Sequence, residues 1–306
     1  LDRSSAASDV YKRQVVRGAF AEPRGPNLAV SQLELCTMVN GVNGTSENST
    51  QPAVTDAEHY CCGIDIGGSG VKGAIVDMHT GEFVGERIKI ATPQPATPEA
   101  VASTAAEILN QLGWDGPVGV CLPSVVTDQV ARSAANIDSS WIGTNVHDLF
   151  TEHLGGRHIA VLNDADAAGL AEVAFGDETA RSGAVIFLTF GTGIGSAFLI
   201  DGALYPNTEI GHMIVDGKEA EHQASSSAKE REELSYKKWA KRVDKVLTEY
   251  EKLFNPATFV VGGGISRKHD KWVPLLTVET PVVPAQLRNR AGIVGAAMAV
   301  WKNVAP

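Results

Sequence analysis

Asp65, Asp164 and three glycine-rich turns hold most of the chemistry this chain could perform. Asp65 lies near the end of an apolar run and opens Asp65-Ile66-Gly67-Gly68-Ser69-Gly70-Val71-Lys72. A second apolar run leads into Thr189-Phe190-Gly191-Thr192-Gly193-Ile194-Gly195. Glycine N–H groups unobstructed by Cβ atoms hold phosphate oxygens, and a nearby carboxylate such as Asp65 can hold a hydrated Mg²⁺. One such loop reads equally well as a tight hairpin with a surface aspartate. Two of a kind, far apart in the chain, suggest duplicated lobes closing on one polyphosphorylated ligand. That is the signature of a kinase. Neither loop has the Gly-Lys-Ser/Thr of a P-loop, and a strand rather than a helix should follow each.

Asn163-Asp164 follows the apolar run Ile159 to Leu162 and precedes a helical pattern. Ligands of open α/β sheets sit beyond the carboxyl ends of strands, so Asp164 could accept the proton of an attacking hydroxyl while Asn163 orients it. The competing reading makes Asp164 or Asp166 a helix N-cap. Glu209-Ile210-Gly211-His212 offers a carboxylate and an imidazole to sugar hydroxyls, which both donate and accept. Asn136-Ile137-Asp138, with Trp141 close behind, offers an amide and an aromatic face, or simply an Asx-turn. Gly262-Gly263-Gly264 is the third glycine turn.

The elements that must position these residues are legible as a repeated pattern. Cys61–Ile66, Val71–Asp77 and Phe83–Ile90 form a three-stranded meander. Thr97-Pro98-Glu99 opens a helix that Gly113 ends, and Val118–Leu122 is a buried strand. Helices follow over about 146–154 and 166–175, with the strand 159–162 between them. Strand, glycine turn and returning strand then recur at 184–200. A long amphipathic helix covers Ser235 to Phe254, Thr258–Val261 is a strand, and a small-residue helix covers 291–300. Residues 1–58 differ in composition: they read as a disordered tail, with 1–14 a non-native scar.

With 306 residues, 43% hydrophobic, the chain can build a sizeable core and two lobes. A net charge of −10 argues against a nucleic-acid binder and requires local cations to meet a polyanion. The four cysteines show no metal-ligand spacing and read as reduced, cytoplasmic thiols. No apolar run suggests a membrane span.

In order, DIGGSGVKGAIVD, NID…W, LND, TFGTGIGSA, TEIGH, VVGGGIS and AGIVGAA resemble the ROK family of sugar kinases over roughly Tyr60 to Trp301. The resemblance implies an α/β, actin-like (hexokinase or ribonuclease H-like) two-lobed fold with a cleft. Residues 59–165 plus 288–306 would form one lobe and 166–287 the other. It implies Asp164 as catalytic base, with Asn136, Asn163, Asp164, Glu209 and His212 on the sugar. Asp65, Gly67, Gly68, Ser69, Gly70, Lys72, Thr189, Gly191, Thr192 and Gly193 would cradle phosphates, with Gly263 and Gly264 at the nucleotide end. Many members carry a cysteine-rich zinc motif after the histidine; here Gly217–Ser225 has no cysteine, so structural zinc is not expected. Glu221 keeps the spacing of that motif's terminal glutamate and is a further sugar contact, with Glu219 an alternative.

The zinc-free form resembles the polyphosphate glucokinases of that family. It implies phosphorylation of glucose or mannose at the 6-hydroxyl, with polyphosphate or ATP as donor and Mg²⁺ as cofactor. Lys238, Lys241, Arg242 and Lys245 form one stripe of the long helix and could track a phosphate chain, with Arg267, Lys268 and Lys271 beyond the third turn. The bland alternative is a solvated face. An ATP-only kinase of glucose, mannose or an N-acetylhexosamine is the rival enzyme. The family also contains transcription regulators, but residues 1–58 show no helix-turn-helix pattern, so no nucleic-acid partner is expected. Resemblance favours a homodimer.

Overall fold

The computed structural model describes residues 59–304. The tail expected over 1–58 and the scar within it lie outside the described residues.

The first sheet begins with β1 (Tyr60–Gly67), β2 (Gly70–Asp77) and β3 (Phe83–Ile90), an antiparallel meander. Gly67 pairs with Gly70, so Gly68-Ser69 forms a two-residue hairpin tip. α1 (Pro98–Leu112) has the anticipated ends: the Thr97 side chain accepts from Ala100 N–H, and Gly113 closes it in the left-handed region at φ 61°. β4 (Val118–Leu122) and β7 (Ile159–Asn163) add parallel to β1, giving the order β3-β2-β1-β4-β7. Between them lie the small hairpin β5 (Val126–Thr127) and β6 (Val130–Ala131), then α2 (Val146–His153).

The second sheet repeats the plan. β8 (Ala184–Phe190), β9 (Ile194–Ile200) and β10 (Ala203–Tyr205) are antiparallel, and β13 (Thr258–Gly262) and β14 (Val282–Pro284) add parallel to β8. Its order, β10-β9-β8-β13-β14, matches the first strand for strand. The weak duplication visible in the sequence is thus a duplicated sheet.

Two helices exchange between the sheets. α3 (Asp164–Phe175) leaves β7 and packs on β8 and β9, while α7 (Ala291–Trp301) returns to β1 and β4. Small residues let α3 and α7 meet, and α7 approach β4, at backbone distance: a Cβ on Gly295 would stand 1.7 Å from Ala167 O, and one on Gly119 1.7 Å from Ala296 O. Their central layer joins both sheets in one core, from Cys61 and Ala74 to Val185 and Phe187. α1 and α2 cover the outer face of the first sheet.

The outer face of the second sheet receives α6 (Tyr236–Phe254), whose Trp239, Val243, Val246, Leu247 and Tyr250 are fully buried. Full burial stabilises by about 1.5–3 kcal/mol for each large apolar side chain. A small hairpin, β11 (Ile214–Val215) and β12 (Lys218–Glu219), precedes α4 (Ala220–Ala224) and α5 (Ser226–Arg231). No described helix is long and apolar enough to cross a membrane.

Candidate active site between the sheets

Asp164 opens α3 at the carboxyl end of β7, where the chain crosses from one sheet to the other. The cap of α3 is Asn163, neither of the aspartates: its Oδ1 accepts from Ala165 N–H (2.7 Å) and Asp166 N–H (3.2 Å). Its Nδ2 donates to Ser124 O. The amide in the cap role frees the Asp164 carboxylate, correcting the alternative reading of that segment.

Two cavities meet at this point. The first, about 410 Å³, is lined by Asn136, Asn163 and Asp164 from one side, and by Thr189, Gly191, Thr192, Gly193, Glu209, His212 and Glu221 from the other. The second, about 200 Å³, is lined by Asp65, Asp164, Thr189, Gly263, Gly264 and Arg267, among others. Asp164 and Thr189 belong to both. The two cavities therefore share a wall at one carboxylate.

Asp164 keeps an accessible face onto these cavities while protein crowds its other sides. Desolvation, then the charge of Asp65, raises its pKa to about 7, with Glu209 adding to the rise. Burial likewise raises Glu209, opposed by His212 and reinforced by Glu221. His212 Nδ1 lies 3.1 Å from Glu219 and 3.8 Å from Glu221. The hydrogen bond to Glu219 and the surrounding carboxylates hold its imidazole above the usual histidine range. His212, Glu219 and Glu221 offer ligand atoms all within 4.8 Å of one another, so Glu221 and its alternative Glu219 both adjoin the histidine.

The second glycine turn is shorter than anticipated, since β9 already begins at Ile194. Its backbone is partly engaged: Gly191 N–H donates to Gly193 O, and Ile194 N–H to Glu221 Oε2. A Cβ on Gly193 would stand 2.3 Å from that oxygen, so glycine is what admits the Glu221 carboxylate. Gly263 takes φ 82° and presses on Phe190 O, which locks the third turn against the second.

The first turn is arranged differently. Gly67, Gly68, Ser69, Gly70 and Lys72 line neither cavity. The tip instead leans on Asn136, whose carbonyl would lie 2.8 Å from a Cβ on Gly68. Lys72 Nζ reaches Asp65 Oδ2 at 2.9 Å and offsets its charge.

Trp141 offers no face to a sugar. It is fully buried, and its indole N–H donates to Ala96 O. The Asx-turn belongs to Asp138, which caps a short 3-10 turn, while Asn136 lines the first cavity at φ 63°. The lysine stripe of α6 is also not a free row of cations. Arg242 is tied to Glu232 (2.6 Å) and Gln223 O, and Lys245 to Asp216 (2.5 Å). Lys238 and Lys241 are exposed but line neither cavity.

Sequence reasoning missed Ser124 and Ser133 in the first cavity and Arg288 and Asn289 in the second. Ser124 had a usable signal, two residues beyond the carboxyl end of β4. Arg288 had none.

Duplicated sheets of one order, exchanged helices and a carboxylate at their crossing define an actin-like, two-lobed sugar-kinase fold. The chain belongs to the ROK family, whose model matches residues 61–228. It is 58% identical over 253 residues to the polyphosphate glucokinase of Mycobacterium tuberculosis (strain CDC 1551 / Oshkosh), covering 83% of this chain and 95% of that protein. The inorganic polyphosphate/ATP-glucomannokinase of Arthrobacter sp. strain KM superposes with a TM-score of 0.74 at 47% identity, covering 80% of this chain and 99% of that one. A ROK glucokinase from Streptomyces griseus, solved with glucose and AMPPNP, gives 0.66 at 25% identity, covering 78% and 98%.

Proposed function

We propose that this chain transfers the terminal phosphoryl group of inorganic polyphosphate, or of ATP, to the 6-hydroxyl of glucose, and that it also accepts mannose. The observation that carries this is the shared wall: Asp164 lines an acceptor-sized cavity on one side and a donor cavity on the other. The relatives' activities support the choice of substrates.

Glucose would occupy the larger cavity, its hydroxyls meeting Asn136, Glu209, His212 and Glu221. Ionised Asp164 receives the proton of the 6-hydroxyl as that oxygen bonds to the terminal phosphorus. The bond from phosphorus to the bridging oxygen breaks, and its electron pair stays with the shortened donor. A loose transition state asks more of positioning than of basicity, so a carboxylate that titrates near neutrality suffices. The N–H groups of Thr192 and Gly193, without partners among the described residues, would face the transferred oxygens.

Mg²⁺ suits the donor cavity by donor type. Asp65 is a hard oxygen ligand on the wall of that cavity, and Lys72 engages only one of its oxygens. When bound, the ion would neutralise charge on the donor oxygens.

The test is glucose 6-phosphate formation from polyphosphate and from ATP, by wild type and Asp164→Asn. Wild type should use both donors. The variant should lose about 10²–10⁴ of kcat while glucose affinity, measured by titration calorimetry, stays nearly unchanged. Turnover by the variant within a few-fold of wild type would remove Asp164 from the role; activity with ATP alone would remove polyphosphate.

A further inference from the structure

Two arms leave the cleft from the glycine turns of the second sheet. One is α5, fastened at its start to the second turn: Ser227 N–H donates to Gly191 O (3.1 Å) and its hydroxyl to Thr192 O (2.6 Å). The other is the 3-10 segment Gly264–Lys271, which leaves the third turn with Arg267 still lining the donor cavity. The arms converge at Tyr236, the first residue of α6. Lys229 Nζ, from α5, lies 4.5 Å from the centre of its ring. Lys271 Nζ, from the other arm, lies 5.6 Å from the same centre.

Two ammonium groups thus share one ring. Some cations of α6 are neutralised, as in Arg242–Glu232, Lys245–Asp216 and Lys252–Glu249. Lys229 and Lys271 form no ion pair among the described residues, although Glu230 and Asp270 adjoin them in the chain. The ring attracts each ammonium without discharging it. Such a pair is matched by a ligand carrying several adjacent negative groups.

The location selects that ligand. Lys271 ends the segment that begins at the third turn, four residues beyond Arg267 and past a kink at Lys268, while Arg267 itself lines the donor cavity. A compact donor fills the cavity, whereas a linear one continues outward along Arg267 and Lys268. We propose that Lys229, Lys271 and Tyr236 form a remote subsite for the distal phosphates of linear inorganic polyphosphate whose reacting end lies at Asp164. This rests on the kinase reading above. It replaces the lysine stripe of α6 as the path of the chain.

The experiment compares wild type with Lys229→Ala/Lys271→Ala, using long-chain polyphosphate, tripolyphosphate and ATP as donors at saturating glucose. Exposed charge contacts are individually weak, so the double variant should raise KM for the long chain about tenfold with kcat retained. KM for tripolyphosphate and ATP should stay within twofold, which also reports an intact fold. The fall of long-chain kcat/KM with salt should become shallower, because fewer counterions are exchanged on binding. Lys271→Glu alone, at an exposed side chain, should raise the same KM and leave ATP kinetics unmoved. Unchanged long-chain KM in both variants, with wild type turning over polyphosphate, overturns the subsite and leaves the donor assignment standing. A wild type that makes glucose 6-phosphate from ATP but not from polyphosphate overturns both.

Discussion

Asp164 and Asp166 stand two residues apart on the first turn of α3, and burial raises each to a pKa of about 7. Their surroundings assign them different work. Asp164 opens onto the cleft, where a titrating carboxylate can exchange a proton with a bound hydroxyl. Asp166 is sealed from solvent: one oxygen accepts Asn207 N–H at 2.7 Å, and the other has no partner among the described residues. The stability consequence of Asp166 has a definite sign. Its folded pKa lies above its unfolded value near 3.8, so its stabilising contribution is complete below that value. It is lost as pH rises toward and through about 7, because the unfolded chain ionises first. Asp166→Asn keeps an acceptor for Asn207 and removes the titration. Urea unfolding should therefore show the variant gaining on wild type by on the order of 2–4 kcal/mol between pH 4 and pH 8. A constant difference across that range would mean the carboxyl does not titrate there.

At the scale of elements, the second and third glycine turns are held from beneath by three aromatic residues. Phe190, Trp239 and Trp272 are fully buried with centroids 5.0–5.9 Å apart, edge to face. The Trp239 indole N–H donates to Ala224 O and Ser225 O, fixing the junction of α4 and α5. Trp239→Ala should cost about 3–5 kcal/mol by cavity formation and lost packing. Denaturant titration measures that cost. Limited proteolysis should then cut between 191 and 235 first. The meander strands, α1 with its Thr97 and Gly113 ends, and the repeated strand–turn–strand were legible because periodicity and end signals are local. The β5–β6 hairpin and β14 were not, since strands of two or three residues carry no period. Nor could the sequence disclose that Trp141 is core, or that Arg242 and Lys245 are spent on Glu232 and Asp216. Those outcomes depend on partners brought near only by the fold. Asn163 is legible as a site residue, but its duty in capping α3 is not: the competing reading gives the cap to Asp164 or Asp166, because Asn and Asp are near-equal caps.

Across the whole molecule, phosphoryl transfer at a cleft requires the two sheets to hold a fixed relation around Asp164. Besides the α3–α7 layer, one residue joins them directly. Asn207, at φ 60° between β10 and Glu209, accepts from Val126 N–H (2.9 Å) through Oδ1 and donates to Val126 O (2.6 Å) through Nδ2. Val126 lies in the small hairpin that follows β4 of the first sheet, and the Asn207 backbone N–H binds Asp166. The two hydrogen bonds to Val126 thus pin the segment bearing Glu209 and His212 to the first-sheet side of the larger cavity, while the third ties it to α3. Each contributes about 0.5–1.5 kcal/mol net, and the two side-chain bonds vanish in Asn207→Ala. That variant touches neither the carboxylate at the crossing nor the donor turns. Its KM for glucose should rise about three- to thirtyfold, with KM for the phosphoryl donor nearly unchanged. Small-angle scattering should show a larger radius of gyration without glucose, returning to the wild-type value when the sugar saturates. An unchanged glucose KM, or expansion that glucose does not reverse, would mean that the helix layer alone sets the spacing of the sheets.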